Sequence, residues 1–161
     1  MASSEKTDKS YDILWAKNEL AKLDPNKKYD VFIKAITVLT KLLEQHDIKP
    51  IIVGGFAVEI YSERIYSTRD LDLFIYDDDA GIITSILQDL GFTRKDRHFL
   101  HKTLEIMIEF ITSRLGDSYE KIQKVLDDDN KDLCCYVISI EDIAIVNRNM
   151  YHKINQRVYH L

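Results

Sequence analysis

Two aspartates one residue apart, in an apolar run that follows a Gly-Gly turn, constrain this chain more than anything else in it. In the stretch IIVGGFAVEIYSERIYSTRDLDLFIY, residues 51–76, Val53-Gly54-Gly55 ends one short apolar run. A helix-sized segment follows, and then Asp70 and Asp72 lie in a second apolar run. A strand turns alternate side chains to the same face, so the two carboxylates point together while Leu71 and Leu73 point to the other side. Carboxylates held side by side raise each other's proton affinity unless a cation sits between them. Hard oxygen donors in this arrangement suit Mg²⁺-assisted phosphoryl or nucleotidyl transfer. The plainer alternative is two solvated residues on the exposed face of a half-buried strand, because short motifs match by accident.

The glycines weigh against that alternative. Gly54 and Gly55 let backbone N–H groups approach a phosphate closely. The helix that follows, with Phe56, Ile60 and Glu63 at helical intervals, points its positive end at such an anion. A phosphate cradle and a carboxylate pair, separated by one helix, are complementary halves of a nucleotide site.

These residues resemble the signature of the DNA polymerase β-like nucleotidyltransferase superfamily: Gly-Gly, a short helix, then Asp-hydrophobic-Asp. The fuller string, Gly54-Gly55-Phe56-Ala57 with Arg64, Thr68, Asp70 and Asp72, is closer still to its small prokaryotic branch. That branch includes minimal nucleotidyltransferases and AbiEii-like toxins of toxin–antitoxin systems. The resemblance is specific over residues 48–76, loose over 77–151 and silent on 1–24. It implies that the Gly turn contacts the triphosphate, that Asp70 and Asp72 hold metal ions, and that a third acid on a later strand completes the site. Arg64 and Thr68 become candidates for contacting phosphate or positioning the aspartates.

The run Leu104-Glu105-Ile106-Met107-Ile108-Glu109-Phe110-Ile111 is strand-like and carries periodic acids. Glu105, Met107, Glu109 and Ile111 share one face, and parity alone does not choose between Glu105 and Glu109. Glu109, between Ile108 and Phe110, has the setting of the family's third acid, and an unpartnered acid there would be costly to bury without a cation nearby. The alternative is a solvated face carrying both glutamates. The family more often has aspartate at this place; a longer side chain changes where an ion would sit.

Composition narrows the class. With 161 residues and no internal repeat, the chain is expected to form one compact unit. Its anticipated parts are an N-terminal helical extension over 1–24 and a nucleotidyltransferase core over 25–161. No run reaches the roughly 20 apolar residues of a membrane span, and MASSEKTDKS lacks the apolar region of a secretory signal. Adjacent Cys134 and Cys135 are badly placed for a disulfide or a metal site and read as small buried hydrophobes. A cytoplasmic setting is the default. The net charge of −5 argues against a broad nucleic-acid-binding surface. Arg94, Lys95, Arg97, His98, His101 and Lys102 still form a local basic segment that could meet a triphosphate or a polyanionic acceptor, or simply be solvated.

Periodicity predicts helices over 11–23, 26–46, 55–63, 80–90 and 118–127, the last opened by Gly116-Asp117-Ser118. Strands are expected at 51–53, 71–76, 104–111 and 135–140, with Phe92–Lys95 and His98–His101 pairing as short strands. Asp77-Asp78-Asp79 reads as a helix N-terminus, Gly91 as a C-cap, Asp127-Asp128-Asp129-Asn130 as a polar turn, and Ser139–Asp142 as the capped start of a last helix through about 151. The expected architecture is an α/β (α+β) nucleotidyltransferase fold, a small mixed β-sheet with helices packed mainly on one face. The expected activity is transfer of a nucleoside monophosphate from an NTP to an acceptor hydroxyl, with Mg²⁺ or Mn²⁺ held by Asp70, Asp72 and Glu109, and with Gly54 and Gly55 on the phosphates. The acceptor could be a small molecule, a tRNA or a protein. The competing expectations are a catalytically weak or inactive nucleotidyltransferase-fold module that binds a nucleotide or a partner, and a toxin–antitoxin component acting on tRNA or protein, with a helical protein as possible partner.

Overall fold

The protein is described by a computed structural model over residues 10–64, 67–75, 80–111 and 121–146. The first helix, α1 (Ile13–Ala21), starts where the Asp12 carboxylate caps the Trp15 amide. It lies against α2 (Lys28–Glu44), the long amphipathic helix expected from the sequence, and Ala16 and Leu20 join the same apolar cluster as Val31, Phe32, Ile36, Leu39 and Leu43. Next come β1 (Ile51–Val53), α3 (Gly54–Tyr61), β2 (Asp70–Phe74) and α4 (Ala80–Asp89). The hairpin β3 (Thr93–Lys95) and β4 (His98–His101) leads into β5 (Ile106–Ile111), and β6 (Gln123–Leu126), β7 (Cys134–Val137) and α5 (Ile140–Val146) complete the described chain.

The strands form one mixed sheet of seven, in the order β3-β4-β5-β2-β1-β7-β6. β1 pairs antiparallel with β2 and parallel with β7, and β2 pairs parallel with β5. The central strand β1 is buried at all three residues, as a continuous apolar run at the middle of a sheet should be. β2 divides by parity. Leu71 and Leu73 are fully buried, and so are Ile106 and Ile108 on β5, whereas Asp70, Asp72, Met107 and Glu109 keep contact with solvent. Phe32 of α2 and Phe56 of α3 meet edge to face, with ring centroids 5.1 Å apart. The apolar face of the sheet is thus the helix-covered face, and the carboxylates lie on the other one. This is the mixed α/β arrangement expected from the sequence.

Local signals hold where the chain closes its own hydrogen bonds. α4 ends in a Schellman motif: Gly91 has φ +94°, its N–H reaches the Gln88 carbonyl at 3.0 Å, and the Phe92 N–H reaches that of Leu87 at 2.9 Å. Asp127 orders the β6–β7 turn by accepting the amides of Asp129 and Asn130. Ser139 caps α5 through Oγ to the Asp142 amide. Cys134 and Cys135 are both buried free thiols on β7, and burial pushes the Cys135 thiol up to about 12.

One expected element is different. The helix placed over 118–127 is replaced in its described part by β6, whose Gln123 to Leu126 pair with Val137 to Cys134. The segment is short and weak in local preference, so pairing with a buried neighbouring strand decides its conformation. The start of that expected helix, and the Asp77-Asp78-Asp79 cap, lie outside the described residues. The expected strand 135–140 also stops earlier, at Val137, where Ser139 begins to cap α5.

Candidate active site

Gly54 is where the start of a helix meets the carboxylates. Val53 pairs with Asp72 across the β1–β2 ladder, and the chain then turns at once into α3. Gly54 makes that turn with φ +65°, in the left-handed region that glycine tolerates best. A Cβ built on Gly54 would collide with the Asp72 carboxylate oxygen Oδ2. The glycine is therefore required twice, for its backbone angle and for the room it leaves a carboxylate. Val53, the N-cap of α3, offers no side-chain acceptor, and the first helical turn holds no acid. The amide end of α3 is thus presented beside Asp72 without a side-chain cap, which is the arrangement that receives an oxyanion.

The third acid follows from register. Asp70 pairs with Met107 and Asp72 with Glu109 on parallel β5, so Asp70, Asp72 and Glu109 share one face. Glu105 takes no part: it sits before β5 in the turn after β4, with φ +55°. Of the two glutamates that parity left open, the ladder carries Glu109 to Asp72.

Burial raises the Asp72 carboxyl from 3.8 to about 6, and the negative charges of Glu109 and Asp70 push in the same direction, against a smaller opposing effect of His98. Loss of solvation thus disfavours the charged form, and the neighbouring acids add to the effect. Glu109 meets basic side chains instead. Its Oε1 is 2.9 Å from Arg97 Nε, and its Oε2 is 3.4 Å from His98 Nε2. Among the described residues, no three acidic, histidine or cysteine side chains already converge as a preformed metal cage. The donor chemistry nonetheless fits a hard divalent cation: carboxylate oxygens on one face, one of them held ready to gain a positive neighbour, beside an uncapped helix start.

Thr68 and Arg64 occupy different places. The Thr68 hydroxyl donates to the Asp70 carbonyl at 3.3 Å, tying down the first residue of β2. Arg64 lies past the far end of α3, with its guanidinium 3.9 Å from the Tyr29 ring centroid and 3.8 Å from Asp30 Oδ1. It is thus engaged with α2 rather than with the Gly54 turn.

The sequence reading overlooked Glu59. It is 6% exposed on α3, accepts the Thr68 amide, and leaves Oε2 without a partner among the described residues. Burial raises its carboxyl pKa, against the Thr68 hydrogen bond and the Arg64 charge. Glu59 thereby anchors the loop that delivers Asp70. The available signal was a lone acid between Val58 and Ile60, the same signal that marked Glu109. In the basic segment, burial lowers the His101 pKa; its Nδ1 accepts the Leu104 amide at 3.2 Å and its ring packs against Phe92.

Two aligned aspartates, an acid facing them from a parallel strand, and a glycine-opened helix thus meet at one place in a mixed sheet. Residues 32–109, just under half of the chain, match the model of a family described as "nucleotidyl transferase of unknown function". The matched stretch contains the Gly54-Gly55 turn, Asp70 and Asp72, and ends on Glu109. That similarity supports a nucleotidyltransferase relationship and points to transferase chemistry. No curated protein and no solved structure matches the chain. Among the described residues, no helix is long and apolar enough to cross a membrane.

Proposed function

We propose that this protein is a metal-dependent nucleotidyltransferase that moves a nucleoside monophosphate from an NTP to an acceptor hydroxyl and releases pyrophosphate. The observation that carries the reading is the close approach of Gly54 to the Asp72 carboxylate, because it sets the uncapped start of α3 beside that acid, as a phosphate cradle next to a metal-binding pair would require. The amides at the start of α3, Gly54 and Gly55 among them, would receive the β- and γ-phosphates. Asp70, Asp72 and Glu109 would hold Mg²⁺ or Mn²⁺. Such an ion supplies Lewis acidity toward the phosphate oxygens and offsets charge on the attacking and leaving oxygens.

The remaining work falls to the chain. Thr68 and Glu59 hold the start of β2, so that Asp70 stays aligned with Asp72. Glu109, on the face shared with Asp72, is the carboxylate proposed to accept the acceptor's proton once Arg97 has released it. The acceptor oxygen forms a bond to the α-phosphorus, the bond from that phosphorus to the pyrophosphate oxygen breaks, and the proton leaves with the base.

The pairing of Glu109 with Arg97 and His98 favours one second reading, a nucleotide- or partner-binding module with little or no transfer. Incubation with each α-labelled NTP, Mg²⁺ or Mn²⁺, and total cellular RNA and protein separates the two. Transfer predicts a labelled polymer with the natural protein and none with Asp70→Asn, whose fold should be retained. Equal labelling by Asp70→Asn sinks the mechanism, and saturable NTP binding with no labelled product favours the binding module. A labelled tRNA or protein would place the chain with the toxin-like branch, and co-purification of a helical protein would supply the partner. A labelled small molecule would instead indicate a free-standing enzyme.

A further inference from the structure

Behind the β3–β4 hairpin lies a second concavity with its own chemistry. A cavity of about 210 Å³ opens between α4 and the hairpin, with Ile83, Phe99 and Phe110 among its apolar lining and Thr84, Arg94 and Arg97 among its polar lining. Phe99 and Phe110 meet edge to face at 5.6 Å. The Arg94 guanidinium lies 5.8 Å from the Phe99 ring centroid, and its Nε donates to the Asp96 carbonyl at 3.0 Å. Among the described residues Arg94 has no carboxylate within ion-pair distance. Among the described residues no acidic side chain lines the cavity, and Arg94 and Arg97 are the charged members of a lining that also holds Phe99 and Phe110.

We propose that this cavity binds a small organic anion, a carboxylate or phosphate monoester carried on one aromatic or similarly sized apolar group. Volume decides the size. A cavity of about 150 Å³ accommodates benzene, and small-molecule sites for larger ligands begin near 300 Å³. The space therefore suits one ring with its acidic head group and is too small for a whole nucleotide. Planar guanidinium forks match carboxylate and phosphate oxygens, which assigns the head group to Arg94 and Arg97 and the body to Phe99, Phe110 and Ile83.

Arg97 connects this cavity to Glu109. The same side chain lines the cavity and pairs with Glu109 Oε1 at 2.9 Å, while remaining 75% exposed. An exposed ion pair is a weak tether, so an anion in the cavity competes with Glu109 for Arg97. Binding there frees the carboxylate oxygen, and removal of the Glu109 charge strengthens binding. The coupling rests on the proposed function for its meaning in catalysis; the binding site does not.

The test is an NMR titration of the full chain, without metal or NTP, with benzoate and phenyl phosphate, and with benzyl alcohol as the neutral counterpart. Saturable shifts of the Ile83 methyl and the Thr84 and Phe99 amides are expected with at least one acid, with benzyl alcohol at least tenfold weaker. The tighter of the two acids assigns the head group. Arg94→Met and Arg97→Met should each weaken binding at least fivefold while keeping the natural melting profile, and Glu109→Gln should tighten it severalfold. Absence of saturable shifts with both acids, equal binding of the alcohol, or unchanged affinity in both arginine variants overturns the site. Unchanged affinity in Glu109→Gln alone overturns the coupling. Because neither NTP nor metal is present, failure of nucleotidyl transfer would leave these outcomes intact.

Discussion

A methyl group on residue 54 would land on the carboxylate of Asp72, and that contact contains most of what the site depends on. Gly54→Ala should cost about 2–3 kcal/mol of stability, from a left-handed backbone angle combined with a displaced acid, and should abolish activity. Denaturant unfolding beside the labelling assay would read both effects. Asp72 gives a pH signature. Its folded pKa, about 6, lies above the unfolded 3.8, so the folded state binds the extra proton in between. The favourable contribution is present below about pH 4 and is lost as the pH rises through about 6. Asp72→Asn should therefore gain stability relative to the natural chain as pH rises across that window, by on the order of 1 kcal/mol after allowing for solvent screening. Chemical denaturation at pH 4, 5, 6 and 7 would measure it, and a constant difference across the series would contradict the environment assigned to Asp72. Much of this was legible in the sequence: alternation put Asp70 and Asp72 on one face and the glycines before a helix. That the two halves touch was not legible, because the contact is made by pairing Val53 with Asp72 across strands. The same is true of Arg97 on Glu109, a cation reaching from a hairpin turn to the neighbouring strand.

At the scale of elements, signals that act within a few residues carried through and signals that depend on partners did not. Gly91, Ser139 and Asp127 each satisfy nearby backbone groups, and each sits where local chemistry placed it. The β3–β4 hairpin also formed as expected. β6 was misread as helix because its identity resides in β7, against which it pairs. The choice between Glu105 and Glu109 had the same root: nothing local separates two acids of equal parity, but a turn with φ +55° at Glu105 removes one of them from the ladder. Comparing two glycines tests the distinction between backbone strain and collision. A Cβ at Gly91 would come no closer than 3.5 Å to His101, ordinary contact, so Gly91→Ala should cost only about 1 kcal/mol from the positive φ. Thermal or urea unfolding should place it clearly above Gly54→Ala in stability. Equal losses would mean that the Asp72 contact adds nothing.

Across the whole molecule, the site occupies the middle of the sheet. β2 is flanked by β1, which leads into the Gly54 turn, and by β5, which supplies Glu109. The stretch that matches the nucleotidyl transferase family covers these three strands up to Glu109, while β6, β7 and α5 lie beyond it. That division separates the strands that bear Asp70, Asp72 and Glu109 from those that extend the sheet on the other side of β1. Cation binding at the acidic face is the central event of the proposed reaction, and Mn²⁺ titration followed by electron paramagnetic resonance, with a non-hydrolysable NTP present, reads it directly. The natural chain should take up Mn²⁺ with the nucleotide, Asp72→Asn should lose at least tenfold in affinity, and Arg97→Met should gain affinity by releasing Glu109. Equal Mn²⁺ affinity in the natural chain and Asp72→Asn would contradict the account.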